Sequence, residues 1–157
     1  MGLRGLAAAP RRGEAGNGVI RYLADSTAVW RLLREQHLNE VWGEDIDLRV
    51  IGSCAPQRTE FRRSARNLVH YEQMGEMFAD LYPDVPLPKN MWGWIESAQF
   101  RLARSGGAVR ALSTVDLMIC ATAAYHGLIV LHDDNDFVTA AGVLTDVLQR
   151  SVRDVPR

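Results

Sequence analysis

One stretch, residues 112–137 (LSTVDLMICATAAYHGLIVLHDDNDF), constrains the fold more than any other part of the chain. Ser113, followed three residues later by Asp116, has the spacing of a capping box, which starts a helix. Apolar and small residues then repeat at helical spacing, and Gly127 marks the helix end. Residues 128–131 are apolar and short enough to form a strand that is covered on both faces. The stretch therefore predicts a helix, a buried strand and the start of a further helix.

Segments of the same two kinds alternate along the rest of the chain. Predicted strands lie at residues 19–24, 47–52 and 148–155, and predicted helices lie at residues 28–34, 38–42, 56–68, 70–81, 92–104 and 138–144. This alternation favours a parallel α/β sandwich. The length of 157 residues suits one such domain, which we expect at residues 19–157.

Composition excludes several classes of protein. The apolar fraction of 47% and the charged fraction of 24% are those of an ordinary globular protein. A formal charge of −1 provides no global basic field for nucleic acid, so any such contact must be local. No window approaches the roughly 18 consecutive apolar residues of a membrane span, and we expect a cytoplasmic protein. Residues 1–18, rich in Gly, Ala and Arg, predict a disordered tail or an over-long start of the reading frame.

The two cysteines, Cys54 and Cys120, both lie in apolar surroundings. We interpret them as small core residues in a reducing compartment rather than as a disulfide. The four histidines have no spacing typical of a zinc site.

Acidic residues mark the ends and starts of several predicted elements. Asp25 follows the first strand, Asp134 and Asp136 follow the strand at 128–131, and Asp116 and Glu60 lie near the starts of helices. Each has a local explanation, as a helix cap or an ion-pair partner. Together they would meet beyond the carboxyl ends of the strands, where open parallel sheets bind ligands. Carboxylates that converge there repel one another, and a hard divalent cation is the usual compensation.

Other metal- or phosphate-binding α/β families fit poorly. A haloacid-dehalogenase-type phosphatase needs an aspartate two residues after the first, where this chain has Thr27. The acidic pair and separate phosphoacceptor of a receiver domain are not apparent. The chain also lacks a GxGxxG or GxxxxGK[ST] loop.

The chain instead resembles the PIN-domain nucleases of the VapC toxin type over residues 19–156. The most specific motif is D-x(17)-D-x-D-F, which joins Asp116 to Asp134, Asp136 and Phe137. The D-S-T-A run that begins at Asp25, with a leucine-rich helix behind it, supports the resemblance. The resemblance implies a PIN-like α/β/α sandwich with a central parallel sheet of about four to five strands.

The resemblance also implies a site and a reaction. Four acids would hold Mg²⁺ or Mn²⁺: Asp25, Glu60, Asp116 and Asp134. Asp136 would be a fifth, auxiliary acid, and the Thr27 hydroxyl would orient a metal-bound water; Asp133 is left outside the set. The implied reaction is hydrolysis of RNA phosphodiesters to a 5′-phosphate and a 3′-hydroxyl, with no covalent nucleophile.

Three arginines, Arg58, Arg62 and Arg66, share one side of the helix that carries Glu60. They are either a solvated face or contacts for the RNA backbone, and Glu60 itself could form an ion pair with Arg63. The sequence leaves these alternatives open.

VapC-type toxins are homodimers blocked by a small antitoxin whose other end binds operator DNA, so the resemblance implies the same partners here. Trp30, Leu33 and Trp42 could form the docking groove for the antitoxin or belong to the core. Two further hypotheses remain: a PIN nuclease of RNA processing, and a non-catalytic binding module that keeps the fold.

Overall fold

The computed structural model of the protein describes residues 19–106 and 108–156, and the predicted tail at residues 1–18 lies outside them. The strands are β1 (Tyr22–Ala24), β2 (Ile51–Gly52), β3 (Ile129–His132) and β4 (Leu148–Ser151). The helices are α1 (Ser26–Arg34), α2 (Gln36–Val41), α3 (Gly43–Asp47), α4 (Ala55–Arg62), α5 (Leu68–Leu81), α6 (Met91–Arg104), α7 (Thr114–His126) and α8 (Asn135–Ala141). A 3₁₀ turn (Ala108–Arg110) precedes α7.

The four strands form one sheet in the order β2-β1-β3-β4, and every neighbouring pair is parallel. Tyr22 in β1 lies opposite both Ile51 in β2 and Ile129 in β3. Because all strands run the same way, the carboxyl ends of β1 and β3 meet at one edge of the sheet. The predicted parallel α/β/α sandwich is therefore confirmed.

Two apolar clusters cover the two faces of the sheet. Leu23 and Val130 point into the cluster that also contains residues of α6, α7 and α8. Their neighbours Tyr22, Ala24 and Leu131 point into the opposite cluster, together with residues of α1 to α5. This alternation is the period of two expected of a strand, and burial on both faces explains why the strands read as continuous apolar runs.

The predicted helix at residues 56–68 is wrong in its length. The helix begins as expected, with Pro56 in its first turn, but α4 ends at Arg62. The Asn67 side chain then accepts a hydrogen bond from the His70 N–H at 2.8 Å and caps α5. A side chain that caps a new helix ends the previous one, because it satisfies amide groups that a continuous helix would use.

The predicted strand at residues 47–52 is also too long. The chain does not leave helical structure at Gly43, which instead begins α3. The helix is continued by a hydrogen bond from the Leu48 N–H to the Glu44 carbonyl at 2.9 Å, and Arg49 then turns the chain with φ 58. Only Ile51–Gly52 remain to pair with β1.

Trp42 belongs to the core rather than to an exposed docking groove. Its side chain is fully buried, its Nε1–H donates to the Val152 carbonyl at 2.8 Å, and its ring meets Tyr22 edge-on at 5.5 Å. Trp30 is half-buried and stacks on Phe61 at 4.1 Å.

Both cysteines are free and buried, as predicted. Among residues 19–106 and 108–156, no helix has the length and apolar character needed to cross a membrane.

Candidate active site

Asp25 lies directly after β1 and caps α1. Its Oδ1 accepts the Ala28 N–H at 2.9 Å, and the Thr27 hydroxyl lies 2.7 and 2.9 Å from the two carboxylate oxygens. Only 3% of the residue is exposed. Burial raises the pKa of Asp25 to about 7, although the hydrogen bonds from Ala28 and Thr27 oppose the change, and the charges of Asp116 and Asp134 raise it further. Asp25 is therefore a buried acid whose pKa is raised by burial and by the charges of two other carboxylates.

Asp116 closes the predicted capping box at the start of α7. Its N–H donates to Ser113 Oγ at 3.1 Å, and its Oδ2 accepts the Ser113 N–H at 3.3 Å. Burial raises the pKa of Asp116, the Ser113 bonds lower it, and the charges of Glu60 and Asp134 raise it. The cap uses only one of the two carboxylate oxygens, since Oδ1 accepts no hydrogen bond from the described residues.

Asp134 caps α8 at the end of β3. Its Oδ1 accepts the Asp136 N–H at 2.9 Å, while Asp136 itself is exposed in the first turn of that helix. The charge of Asp134 acts on both Asp25 and Asp116. The ends of β1 and β3 and the start of α7 thus bring three aspartates to one edge of the sheet.

Glu60 reaches the same group from α4. The residue is half-buried, and its charge raises the pKa of Asp116. The alternative ion pair with Arg63 does not form, because no salt bridge of the described residues includes Glu60. Glu60 is therefore part of the electrostatic cluster, which we define as Asp25, Glu60, Asp116 and Asp134.

The cluster has the carboxylate oxygens that a hard cation needs, but the structure does not bring them into one coordinating set. No three His, Cys, Asp or Glu side chains of the described residues lie together as a set that could hold an ion. Each aspartate places at least one oxygen on backbone N–H groups of its own helix start. Carboxylates with raised pKa values and nearby like charges suit a divalent cation bound by oxygen, so the chemistry of the donor set fits such an ion.

Asp133, which the sequence analysis left outside the set, has a different role. Its carboxylate accepts hydrogen bonds from Arg31 Nε at 2.7 Å and from Arg153 Nε at 3.2 Å. Burial alone would raise the pKa of Asp133, but these two bonds outweigh it and lower the pKa. Arg153 also pairs with Glu35 at 3.0 Å, so Asp133 ties the end of β3 to α1 and to the segment after β4.

The Thr27 hydroxyl joins the two central strands. It donates to Asp25 and accepts the Asp133 N–H at 2.8 Å. The single hydrogen of the hydroxyl is thus directed at Asp25. This hydrogen bond keeps the Asp25 carboxylate in place next to the end of β3.

Two polar residues at the site were missed by the sequence analysis. His132 is 1% exposed; its Nδ1 accepts the Asp134 N–H at 3.0 Å, and its Nε2 lies 2.7 Å from Gln149 Oε1. Because Nδ1 accepts, Nε2 carries the hydrogen and donates it to Gln149. Gln57 is fully buried, donates to Ser26 Oγ at 3.3 Å, and has an Oε1 without a donor among residues 19–106 and 108–156. In the sequence, His132 is a lone histidine in an apolar strand and Gln57 is one of several polar residues in a helix, so neither pattern indicates a site residue.

The three predicted RNA-contacting arginines have separate surroundings. Arg58 pairs with Asp84 at 2.7 Å and donates to Ser53 Oγ at 2.9 Å. Arg62 lies over the Tyr71 ring at 3.6 Å and donates to the Tyr71 carbonyl at 2.9 Å. The Arg66 side chain is exposed between α4 and α5. They are not one uniform solvated face.

Comparison with known proteins gives a family. Residues 22–143 match the PIN domain. Over 104 residues the chain is 61% identical to Ribonuclease VapC6 of Mycobacterium tuberculosis, which covers 66% of this chain and 81% of that protein.

Solved structures agree in fold. The structure of VapBC-1 from nontypeable Haemophilus influenzae matches with a TM-score of 0.68 at 13% identity, over 85% of this chain and 99% of the other. The DNA-bound VapBC from Salmonella typhimurium matches with a TM-score of 0.63 at 14% identity, over the same shares. The family match and the identity to a VapC ribonuclease place the chain in the PIN-domain family, among the VapC ribonucleases.

Proposed function

We propose that this protein is a metal-dependent endoribonuclease and the toxin of a VapBC-type toxin–antitoxin pair. The observation that carries the proposal is the electrostatic cluster. Burial raises the pKa values of Asp25 and Asp116, and the charges of other cluster members raise both pKa values further. Such mutual repulsion is expected where carboxylates are arranged for a cation.

Asp25, Glu60, Asp116 and Asp134 would hold Mg²⁺ or Mn²⁺, with Asp136 as an auxiliary acid. When bound, such an ion lowers the pKa of a water ligand and offsets charge on the phosphate. The protein's own part is to keep these carboxylates together at the sheet edge. The Thr27 hydroxyl fixes Asp25 through its hydrogen bond and is our candidate to orient the attacking water. The P–O3′ bond of the RNA breaks, leaving a 5′-phosphate and a 3′-hydroxyl.

The chain offers no thiol nucleophile for a covalent route. Burial raises the pKa of the Cys54 thiol to about 11, and burial with the charges of Asp116 and Asp25 raises the pKa of Cys120 further. Both groups are neutral thiols at physiological pH, and only the thiolate is nucleophilic. Direct attack by water is therefore the route that these residues favour.

Arg58, Arg62 and Arg66 remain our candidates for contacts with the RNA backbone, and we place the activity in the cytoplasm. Two of the solved relatives are VapBC complexes, one of them with DNA. By analogy, we expect a VapB-type antitoxin that covers the cluster, and a homodimer of this chain. The half-buried Trp30 and Leu33 remain candidates for antitoxin contact.

The test is RNA cleavage by the protein purified free of any partner. We expect cleavage with Mg²⁺ or Mn²⁺, none with EDTA, and none by Asp116→Asn or Glu60→Gln. Asp154→Asn is the matched control, because it removes one carboxylate that is 74% exposed and that pairs, among the described residues, only with Arg150.

Cleavage that persists in EDTA, or full activity in both cluster variants, would exclude the metal-dependent mechanism. Lack of any cleavage by the wild type would favour the non-catalytic binding module. Cleavage without growth inhibition on expression would favour the RNA-processing nuclease.

A further inference from the structure

A cationic groove lies between α4 and α5, outside the electrostatic cluster. Its volume is about 450 Å³, and its lining consists of Ala55, Arg58, Thr59, Arg62, Arg63 and Tyr71. Within the described part of the chain, no acidic side chain lines it. Arg58 pairs with Asp84, but no salt bridge of the described residues involves Arg62 or Arg63. The groove therefore carries uncompensated positive charge on a chain whose formal charge is −1.

The groove and the electrostatic cluster share α4. Thr59 immediately precedes Glu60, and Arg63 lies three residues after Glu60. Side chains three apart are neighbours on a helix, so Arg63, the C-cap residue of α4, is the lining residue that lies toward Glu60.

An aromatic platform forms one wall of the groove. The Arg62 guanidinium lies 3.6 Å from the centre of the Tyr71 ring and is anchored on the Tyr71 carbonyl. Tyr71 remains 44% exposed although the guanidinium covers part of its ring. Gly75 leaves the space for this packing, because a Cβ at that position would lie 2.6 Å from Arg62 Nη2.

We propose that this groove is a subsite for one unpaired nucleotide of RNA, with the base stacked on the part of the Tyr71 ring that Arg62 leaves exposed and the phosphate held by Arg63. The proposal rests on the proposed function for its substrate and adds the place, outside the electrostatic cluster, where one base and one phosphate bind. Positive charge and an exposed aromatic ring together match a phosphate and a planar base. An acidic peptide would satisfy the charge alone. A base in a duplex is already stacked and cannot reach the ring.

Binding is measured with the full-length protein in EDTA, by fluorescence anisotropy of a short labelled single-stranded RNA over a series of salt concentrations. Tyr71→Ala should weaken binding roughly 5- to 150-fold, the range for loss of one base–aromatic stack. Tyr71→Phe keeps the ring and should bind as the wild type does. Arg63→Gln should reduce the slope of log K against log salt by about 0.7, as expected for one lost phosphate contact to a single strand, whereas Tyr71→Ala should leave that slope unchanged.

Gly75→Ala tests the platform without removing any charge or ring. Alanine favours the interior of α5, so the fold should be kept. Its methyl group displaces Arg62, which packs on Tyr71 and holds the ring in place, and this should weaken RNA binding several-fold. Phe100 and Arg104 provide the matched control: they form another exposed aromatic–arginine pair, at 5.7 Å on α6. Phe100→Ala and Arg104→Gln should leave RNA binding unchanged.

Unchanged binding by Tyr71→Ala, equal affinity for the same RNA annealed to its complement, or equally effective competition by polyglutamate would each overturn the subsite. The last result would point to an acidic protein partner instead. These outcomes are independent of the proposed function, because binding in EDTA is measured whether or not the protein cleaves RNA. Absence of metal-dependent cleavage would refute the nuclease and leave the binding result standing.

Discussion

Replacing Asp25 by Asn should make the metal-free protein more stable at pH 8. The pKa of Asp25 is raised from 3.8 to about 7 in the folded protein, so the folded state binds a proton more tightly than the unfolded state does. The free energy of unfolding therefore falls as the pH rises between these two values. At pH 8 the ionised carboxylate costs at most about 4 kcal/mol, and reorientation of the side chain reduces this to roughly 2 to 4 kcal/mol. Asparagine keeps the acceptor for the Ala28 N–H and carries no charge.

The assay is urea or thermal unfolding in EDTA at several pH values from 5 to 8. From Asp25 alone, the wild type should lose about 2 to 3 kcal/mol between pH 5 and pH 8. Asp116 has a raised pKa and adds to this slope. At pH 8 the melting temperature of Asp25→Asn should exceed that of the wild type by roughly 4 to 16 °C for a chain of this size. Mn²⁺ should stabilise the wild type, and the variant much less.

A matched loss of charge separates this effect from general electrostatics. Asp154→Asn removes an exposed carboxylate, and its stability should follow the wild-type pH profile. The reasoning is refuted if metal-free wild type is equally stable at pH 5 and pH 8, or if Asp25→Asn is the less stable protein at pH 8.

Three further substitutions probe the scaffold of the site. His132→Leu removes the buried acceptor of the Asp134 N–H and should lower the Mn²⁺ affinity, measured by calorimetry, roughly 10- to 100-fold. His132→Asn, whose Oδ1 can accept that bond, should retain most of the affinity. Equal losses of affinity in the two variants would contradict a positioning role for His132. Gly127→Ala should destabilise the protein by about 1 kcal/mol in urea, because Gly127 has φ 67, while cleavage per folded molecule stays the same. Arg153→Gln should lower the melting temperature in low salt through loss of the bonds to Asp133, and high salt should narrow the difference; a difference that does not depend on salt would contradict the ionic explanation.

The sequence predicted those features that depend on short-range chemistry. The capping box of Ser113 and Asp116 is present as expected, since its partners are three residues apart. The parallel sheet followed from alternating elements. His132 could not be predicted as a site residue, because its role depends on pairing with Gln149, which lies on another strand. The break between α4 and α5 also escaped prediction, because Asn67 follows a polar helical pattern and becomes a cap only through its extended backbone and its hydrogen bond from the His70 N–H.

Three aspartates of the electrostatic cluster are also helix caps. This explains why each of them could be interpreted as a simple cap. Asp25, Asp116 and Asp134 start α1, α7 and α8, so the caps that define these helices also deliver three carboxylates to one sheet edge. Helix N-termini favour negative charge, which partly offsets the repulsion while no cation is bound. Glu60 differs because it lies beyond the first turn of α4 and caps no helix. Its presence beside Asp116 has no local structural explanation, and it is the member of the cluster that most directly indicates a function.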